Sequence, residues 1–204
     1  MESTKEKLLR TASALFAKYG LDGVSTRDLV KASGVSLCSV NYHFGSKEKL
    51  YEAVLDSAID KILSFAAEKQ FPLKDAELSA VDELDAMIGN MLEFLCSDEL
   101  SGVQAELLIK EIIQPTAVYA KLYAKVVEPM HKRATALIMR ITGQPESDAI
   151  LQTHCLMGQV VMFRIHKAAL LRRMNRDEYD KALIAEIKAR ILENCDLVLG
   201  LERR

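Results

Sequence analysis

The chain has no tryptophan, only 4 prolines and only 9 glycines in 204 residues. So few chain breakers leave room for few loops and much helix. No apolar run approaches the ~18 residues of a membrane span. The first residues, MESTKEKLL, carry no secretory apolar core, so a cytoplasmic protein that does not enter the membrane is expected. The 4 cysteines, Cys38, Cys96, Cys155 and Cys195, are far apart and form no CxxC pair, which signals neither a zinc ribbon nor a disulfide framework. There is no GxSxG, P-loop, HExxH or dinucleotide fingerprint. His154 and Cys155 are neighbours and diverge by ~100° on a helix, so they make no pair for chemistry. The expectation is therefore no enzyme, no cofactor and no metal.

What is present is ordinary globular material, 50% apolar and 27% charged with a formal net charge of −2. The charge is uneven. Residues 1–50 hold 8 Lys+Arg against 5 Asp+Glu, or +3, and the remainder holds 19 against 24, or −5. A basic head on an acidic body suits a head that meets a polyanion, although for so small a bias taken alone a solvated surface is the better explanation.

The apolar period is helical from end to end. Ser3 and Glu6 have capping-box spacing, and Leu8, Ala12, Leu15, Phe16 and Tyr19 form one stripe, which predicts a helix over about 4–19 with Gly20 as its stop. Ser25 and Asp28 start a second over about 26–32, ended by Gly34, and Ser36 caps a third over about 37–43. Ser46 caps a fourth over about 47–70, closed by Pro72. Further helices are expected over about 76–97, 99–113, 116–142, 147–173 and 177–199. With no sustained period-2 alternation, the fold class is all-α with about nine helices. Pro129 lies inside the 116–142 segment and predicts a kink, or two shorter helices meeting.

The segment LCSVNYHF between the turn signals Gly34-Val35-Ser36 and Gly45-Ser46 has no Asp, Glu, Lys or Arg. Two short helices joined by three or four residues with a Gly have helix-turn-helix spacing, in which the second enters the DNA major groove. That accounts for the neutral composition. Base edges are read by Ser, Thr and Asn and by apolar contact with thymine methyls, which suits Ser36, Leu37, Ser39 and Asn41. Tyr42 and His43 can bond phosphates, and Lys47 lies in the first turn of the next helix, where an anion is favoured. Val35, Val40 and Phe44 are left to hold the short helix in place. Helix–Gly–helix spacing also occurs in helical proteins that bind no DNA.

The run TRDLVKASGVSLCSVNYHFGSKEKLYEAV resembles the DNA-binding signature of the TetR/AcrR family of bacterial transcriptional regulators. Thr26 to Val30 match its helix 2, Lys31 to Val35 its Ala-x-x-Gly-Val turn, Asn41 to Phe44 the Tyr-x-His-Phe-like end of helix 3, and Ser46 to Leu50 the start of helix 4. Asn41 stands where Tyr is common in the family, and Cys38 where small residues or Pro are frequent. The resemblance implies a helix-turn-helix DNA-binding domain over 1–48 and a helical effector-binding and dimerisation domain over 49–204. It implies a homodimer on a palindromic double-stranded DNA operator, usually a repressor, released by a small-molecule effector. It places Thr26 and Arg27 at phosphates or a base edge, Leu37, Ser39 and Asn41 in the groove, and Tyr42, His43 and Lys47 at phosphates.

In the body, residues 147–173 are apolar almost all round, which calls for burial on all sides. Residues 177–199 carry Asp180, Ile184, Ile187, Ile191, Cys195 and Val198 along one stripe, with Leu183, Leu192 and Leu199 beside it. Two such helices either fill the chain's own core or pair with a second copy in a four-helix bundle. The resemblance favours the bundle, with Gly158, Val161, Ile165, Ile184, Ile187 and Ile191 at its interface. It also puts Met87, Met91, Phe94, Leu108, Tyr119, Tyr123, His131, Met157 and Phe163 on segments that surround the family's effector cavity, although Met and aromatic residues at helical spacing also serve as plain core. Glu106 and Glu111 either orient a polar ligand or are solvated. Two other readings stay open: a purely structural helical adaptor, and a redox-sensing regulator acting through Cys38.

Overall fold

The computed structural model describes residues 2–69, 78–96 and 102–201. Every regular element among them is helical: α1 (Thr4–Tyr19), α2 (Thr26–Ser33), α3 (Leu37–Phe44), α4 (Lys47–Glu68), α5 (Ala80–Cys96), α6 (Gly102–Ile113), α7 (Tyr119–Leu122), a π-helical turn (Tyr123–Val127), α8 (Glu128–Thr142), α9 (Glu146–Ile165), α10 (Lys167–Met174) and α11 (Lys181–Leu199). Pro72, expected to close α4, lies outside the described residues. No helix among them is long and apolar enough to cross a membrane.

The chain forms two compact units. The first comprises Met1–Ile62 and Leu100–Tyr123, the second Leu63–Glu99 and Ala124–Arg204.

In the first unit the predicted caps operate. Ser3 and Ser25 each close a capping box, with Glu6 and Asp28, at the starts of α1 and α2. Leu8, Ala12 and Phe16 of α1, Leu29 of α2, Val40 of α3 and Leu50 of α4 are fully buried, and α1 packs on α2 and α3. α6 packs along α1. The α1–α2 turn needs Gly23, because a Cβ there would sit 2.3 Å from the Tyr19 carbonyl oxygen. Gly34 ends α2 with φ +64°, the left-handed region that glycine enters without steric cost, and its N–H bonds the Val30 carbonyl at 2.9 Å.

In the second unit α8 packs on α9, and α5 packs on α8, α9 and α11. Its core joins Leu84, Ile88 and Leu92 of α5, Leu137 and Ile138 of α8, Leu156 and Val160 of α9, and Leu183, Ile187 and Ile191 of α11.

Two segments divide, the first as expected and the second, expected as a single helix, against expectation. The 116–142 segment divides as Pro129 requires. Pro129 has no N–H for the Lys125 carbonyl, and the chain widens into the π-helical turn just before α8, which starts with the proline in its first turn. The 147–173 segment divides at His166, which carries no breaker signature. There the Phe163 carbonyl, which a continuous helix would offer to the N–H of residue 167, accepts the Tyr179 hydroxyl at 2.7 Å.

Candidate nucleic-acid interface and effector cavity

α3 is eight residues long, too short to persist alone, so its orientation is set by what pins it. Val40 is fully buried and Val35 and Phe44 are half-buried. The opposite face turns outward: Leu37 is 52% exposed, Tyr42 is 85% exposed, and Cys38 and Asn41 are exposed beside them. Ser36 and Ser39, expected at base edges, are engaged with the helix itself. The Ser36 hydroxyl accepts the Ser39 N–H at 3.1 Å, and the two hydroxyls are 2.9 Å apart. Replacing Ser36 with alanine is therefore expected to cost about 1 kcal/mol of stability as a lost N-cap, read by thermal unfolding, without changing which bases are preferred.

Around α3, Thr26 is half-buried and Arg27 exposed in the first turn of α2. His43 is half-buried with the Tyr42 ring edge-on to it at 5.1 Å. Lys47 donates to the Leu21 carbonyl at 2.9 Å, which uses one of its three N–H donors and leaves two.

One turn beyond Lys47, Tyr51 stands edge-on to Phe16 at 5.1 Å. Its hydroxyl donates to Glu111 at 2.7 Å. Glu111 is fully buried, and its other oxygen accepts the Thr116 N–H and hydroxyl, both at 2.8 Å. Burial first, and the Glu111 bond second, raise the Tyr51 pKa. Glu111 is thus neither solvated nor free to orient a ligand, whereas Glu106 is exposed.

The residues expected around an effector are divided. Met87, Met91 and Met157 meet at one cavity between α5, α8 and α9, completed by Leu84, Ile88, Ala134, Ile138, Thr153, Leu156 and Val160. It measures about 10 Å³, room for about one water. Thr153 is its one polar liner, and that hydroxyl pairs with Thr135 at 3.0 Å. Phe94 instead packs on Phe65 with ring centroids 4.9 Å apart, and Phe163 packs against the core of its unit. His131 faces His154 at 5.8 Å. Its pKa is lowered by burial and then by that neighbour. Leu108, Tyr119 and Tyr123 belong to the first unit and line no part of this cavity. Beside the cavity Arg133 grips Glu83, with Nε 2.6 Å from Oε1. No group of three or more His, Cys, Asp or Glu placed to hold a metal occurs among the described residues.

The expected bundle interface needs correcting. Ile187 and Ile191 are 5% and 1% exposed, packed into their own unit's core, so they have no surface left for a partner. Val161 and Ile184 are half-buried. Nor is α9 buried on all sides. It buries Ala149, Thr153, Leu156 and Val160 and exposes Leu151, Cys155, Gly158, Met162 and Ile165, a row at spacings of four and three. On α11 Leu197 is 80% and Val198 49% exposed. Leu197 was missed; it is apolar and off the stripe that runs from Ile184 through Ile187, Ile191 and Cys195 to Val198.

Residues 8–54 match the family described as bacterial regulatory proteins, tetR family. Residues 80–201 match the C-terminal domain of the HTH-type transcriptional dual regulator CecR. Over its whole length the chain is 30% identical to the HTH-type transcriptional dual regulator CecR of Shigella flexneri, covering 95% of that protein. The HTH-type transcriptional repressor KstR2 of Mycolicibacterium smegmatis is 36% identical over 58 residues, 28% of each chain. Among solved structures, AibR in complex with isovaleryl coenzyme A and operator DNA aligns with a TM-score of 0.65 at 14% identity, covering 94% of this chain and 97% of that one. A putative transcriptional regulator from Saccharomonospora viridis in complex with choline aligns at 0.63 and 16% identity, covering 98% of each. An N-terminal helix-turn-helix with a pinned short helix, and a match along the full length to a curated regulator, lead to one conclusion: this chain belongs to the TetR/AcrR family of DNA-binding bacterial transcriptional regulators.

Proposed function

We propose that the protein is a homodimeric repressor that holds a two-fold operator with two copies of α3 and lets go when a small neutral, apolar ligand enters the α5–α8–α9 cavity. The observation that carries the reading is the exposed face of α3, held outward by the buried Val40. Residues 1–48 serve as the DNA-reading part and 49–204 as the effector- and partner-binding part. Arg27, Tyr42, His43 and the two remaining donors of Lys47 serve the phosphates. The two helices sit about 34–36 Å apart, or a multiple of that, to meet successive major grooves. The full-length relative is named a dual regulator, which supports a second reading in which the same operator contact also activates.

The lining of the cavity sets the ligand's chemistry. Burying a charge without a partner is costly, and the one polar liner is already paired. Three methionines allow the cavity to open, because their flexible, polarisable side chains repack at low cost. Met91 lies one turn from Phe94, whose ring meets Phe65 near the end of α4. α4 is one continuous 22-residue helix that begins at Lys47, so a shift of α5 reaches the DNA-reading part through it. Coupling of about 1–3 kcal/mol changes operator affinity about 5–150-fold.

Toluene, benzoate and choline test this reading. Toluene is expected to raise the unfolding temperature and weaken the protein–operator complex, and the two charged probes are expected to do neither. Stabilisation by benzoate or choline alone would remove the cavity as the site. Stabilisation by toluene with unchanged operator affinity would remove the coupling.

A further inference from the structure

The eight residues of α3 include no Lys and no Arg. The helix therefore lacks a bidentate donor for the O6 and N7 acceptors of guanine, the commonest specific contact in the major groove. Its exposed face decides what remains. Leu37, Cys38, Asn41 and Tyr42 are exposed, at i, i+1, i+4 and i+5, two adjoining rows on one side of a helix. The hydroxyls that read any base, on Ser36 and Ser39, are turned to each other and to the cap. The outward N-terminal half thus presents hydrocarbon from Leu37 and a thiol from Cys38, with the Asn41 carboxamide one turn on.

A thiol behaves as a small hydrophobe with a weak donor. In the major groove an apolar side chain has one partner that no other base offers, the C5-methyl of thymine, while an Asn amide matches the N7 acceptor and N6 donor of adenine. Seated instead on a cytosine amino group or a guanine oxygen, Leu37 and Cys38 would bury those groups unpaired, which is costly.

We propose that α3 reads a half-site containing A·T pairs, with thymine methyls seated on Leu37 and Cys38 and an adjacent adenine held by Asn41, so that Cys38 is a specificity-determining residue rather than a redox sensor. This rests on the DNA-reading role proposed for α3 and adds the chemistry of the operator to it.

The test begins with operators selected from random duplex DNA by the full-length protein. Each thymine of a selected half-site is then replaced in turn by deoxyuridine, which deletes one methyl and nothing else. Removing a methyl seated on Leu37 or Cys38 is expected to weaken binding roughly fourfold, the worth of one buried methyl, and about 15-fold when both half-sites are changed. In Leu37→Ala and Cys38→Ser the thymine-to-deoxyuridine ratio is expected to fall toward one at the methyl each residue holds. N-ethylmaleimide gives a second readout, since Cys38 is exposed. The selected operator is expected to slow alkylation of Cys38, and an equal amount of unselected duplex is expected to slow it less. A flat deoxyuridine scan, or Cys38 alkylated as fast in the complex as in the free protein, overturns the proposal while DNA binding stands. Failure of the selection to enrich any sequence overturns the DNA-reading role itself.

Discussion

Leu197→Glu is expected to leave a folded monomer whose operator affinity is at least about 100-fold weaker than that of the wild type. The position is 80% exposed on α11, so the substitution removes little from the protomer's own core and should keep its helical circular dichroism. In the proposed dimer the same position, with Val198 and the α9 row Leu151, Met162 and Ile165, is covered by the second copy. A carboxylate buried there without a partner is costly enough to part the two chains. Separated heads lose the effective concentration that links two half-sites, an advantage of about 10²–10⁴-fold. Met162→Glu should reproduce the result from α9. Ile187→Glu is the contrasting variant: at 5% exposure its charge enters the core, so it should unfold the second unit rather than dissociate it. Sedimentation velocity paired with an operator titration reads all three. A wild type that is monomeric and still binds tightly would sink the dimer reading, as would a Leu197→Glu protein that remains a dimer.

Glu111→Ala is expected to destabilise the first unit by roughly 3–5 kcal/mol. The carboxyl is fully buried and accepts from Tyr51 on α4 and twice from Thr116. Its removal leaves a cavity and a buried phenol without an acceptor, and each contributes to the loss. Tyr51→Phe keeps the contact with Phe16 and breaks one bond, so about 1–3 kcal/mol is expected. Because Tyr51 follows Lys47 by one turn, and Lys47 holds the Leu21 carbonyl, a loosened α4 should also weaken binding to every DNA sequence alike. Urea unfolding followed by circular dichroism measures the first effect and anisotropy titration on unrelated duplexes the second. The pH dependence is separable. The Tyr51 pKa is raised in the folded state, so its contribution is fully present below the ordinary tyrosine value of about 10 and is lost as pH rises through the folded value. Assays near neutrality see it whole. A Glu111→Ala protein as stable as wild type would show that this buried bond set does not hold α4.

The helix starts and stops of the head were legible residue by residue. Ser3 with Glu6, Ser25 with Asp28, and Gly34 each act within four positions of the backbone groups they satisfy. The cavity proposed for the effector was legible in part. Met87, Met91 and Met157 do meet, because the helical period brings apolar faces together whatever lies opposite. Their companions Leu108, Tyr119 and Tyr123 belong to the other unit, and periodicity carries no information about which element a face will meet.

The sequence by itself determined that the chain is helical, where its capped helices begin, that a short uncharged helix follows a glycine turn, and that Pro129 interrupts a helix. These follow from contacts spanning a few residues. Only the tertiary structure decided that Ile187 and Ile191 belong to the core while Leu197 remains outside, because α11 has apolar residues on more than one side and packing against α5 selects among them. Only the tertiary structure consumed Glu111, through a hydroxyl 60 residues away, and broke the helix at His166, where Tyr179 reaches back 16 residues to the Phe163 carbonyl. A side chain that satisfies a distant backbone or carboxyl group leaves no local pattern, so its partner is known only once the chain has folded.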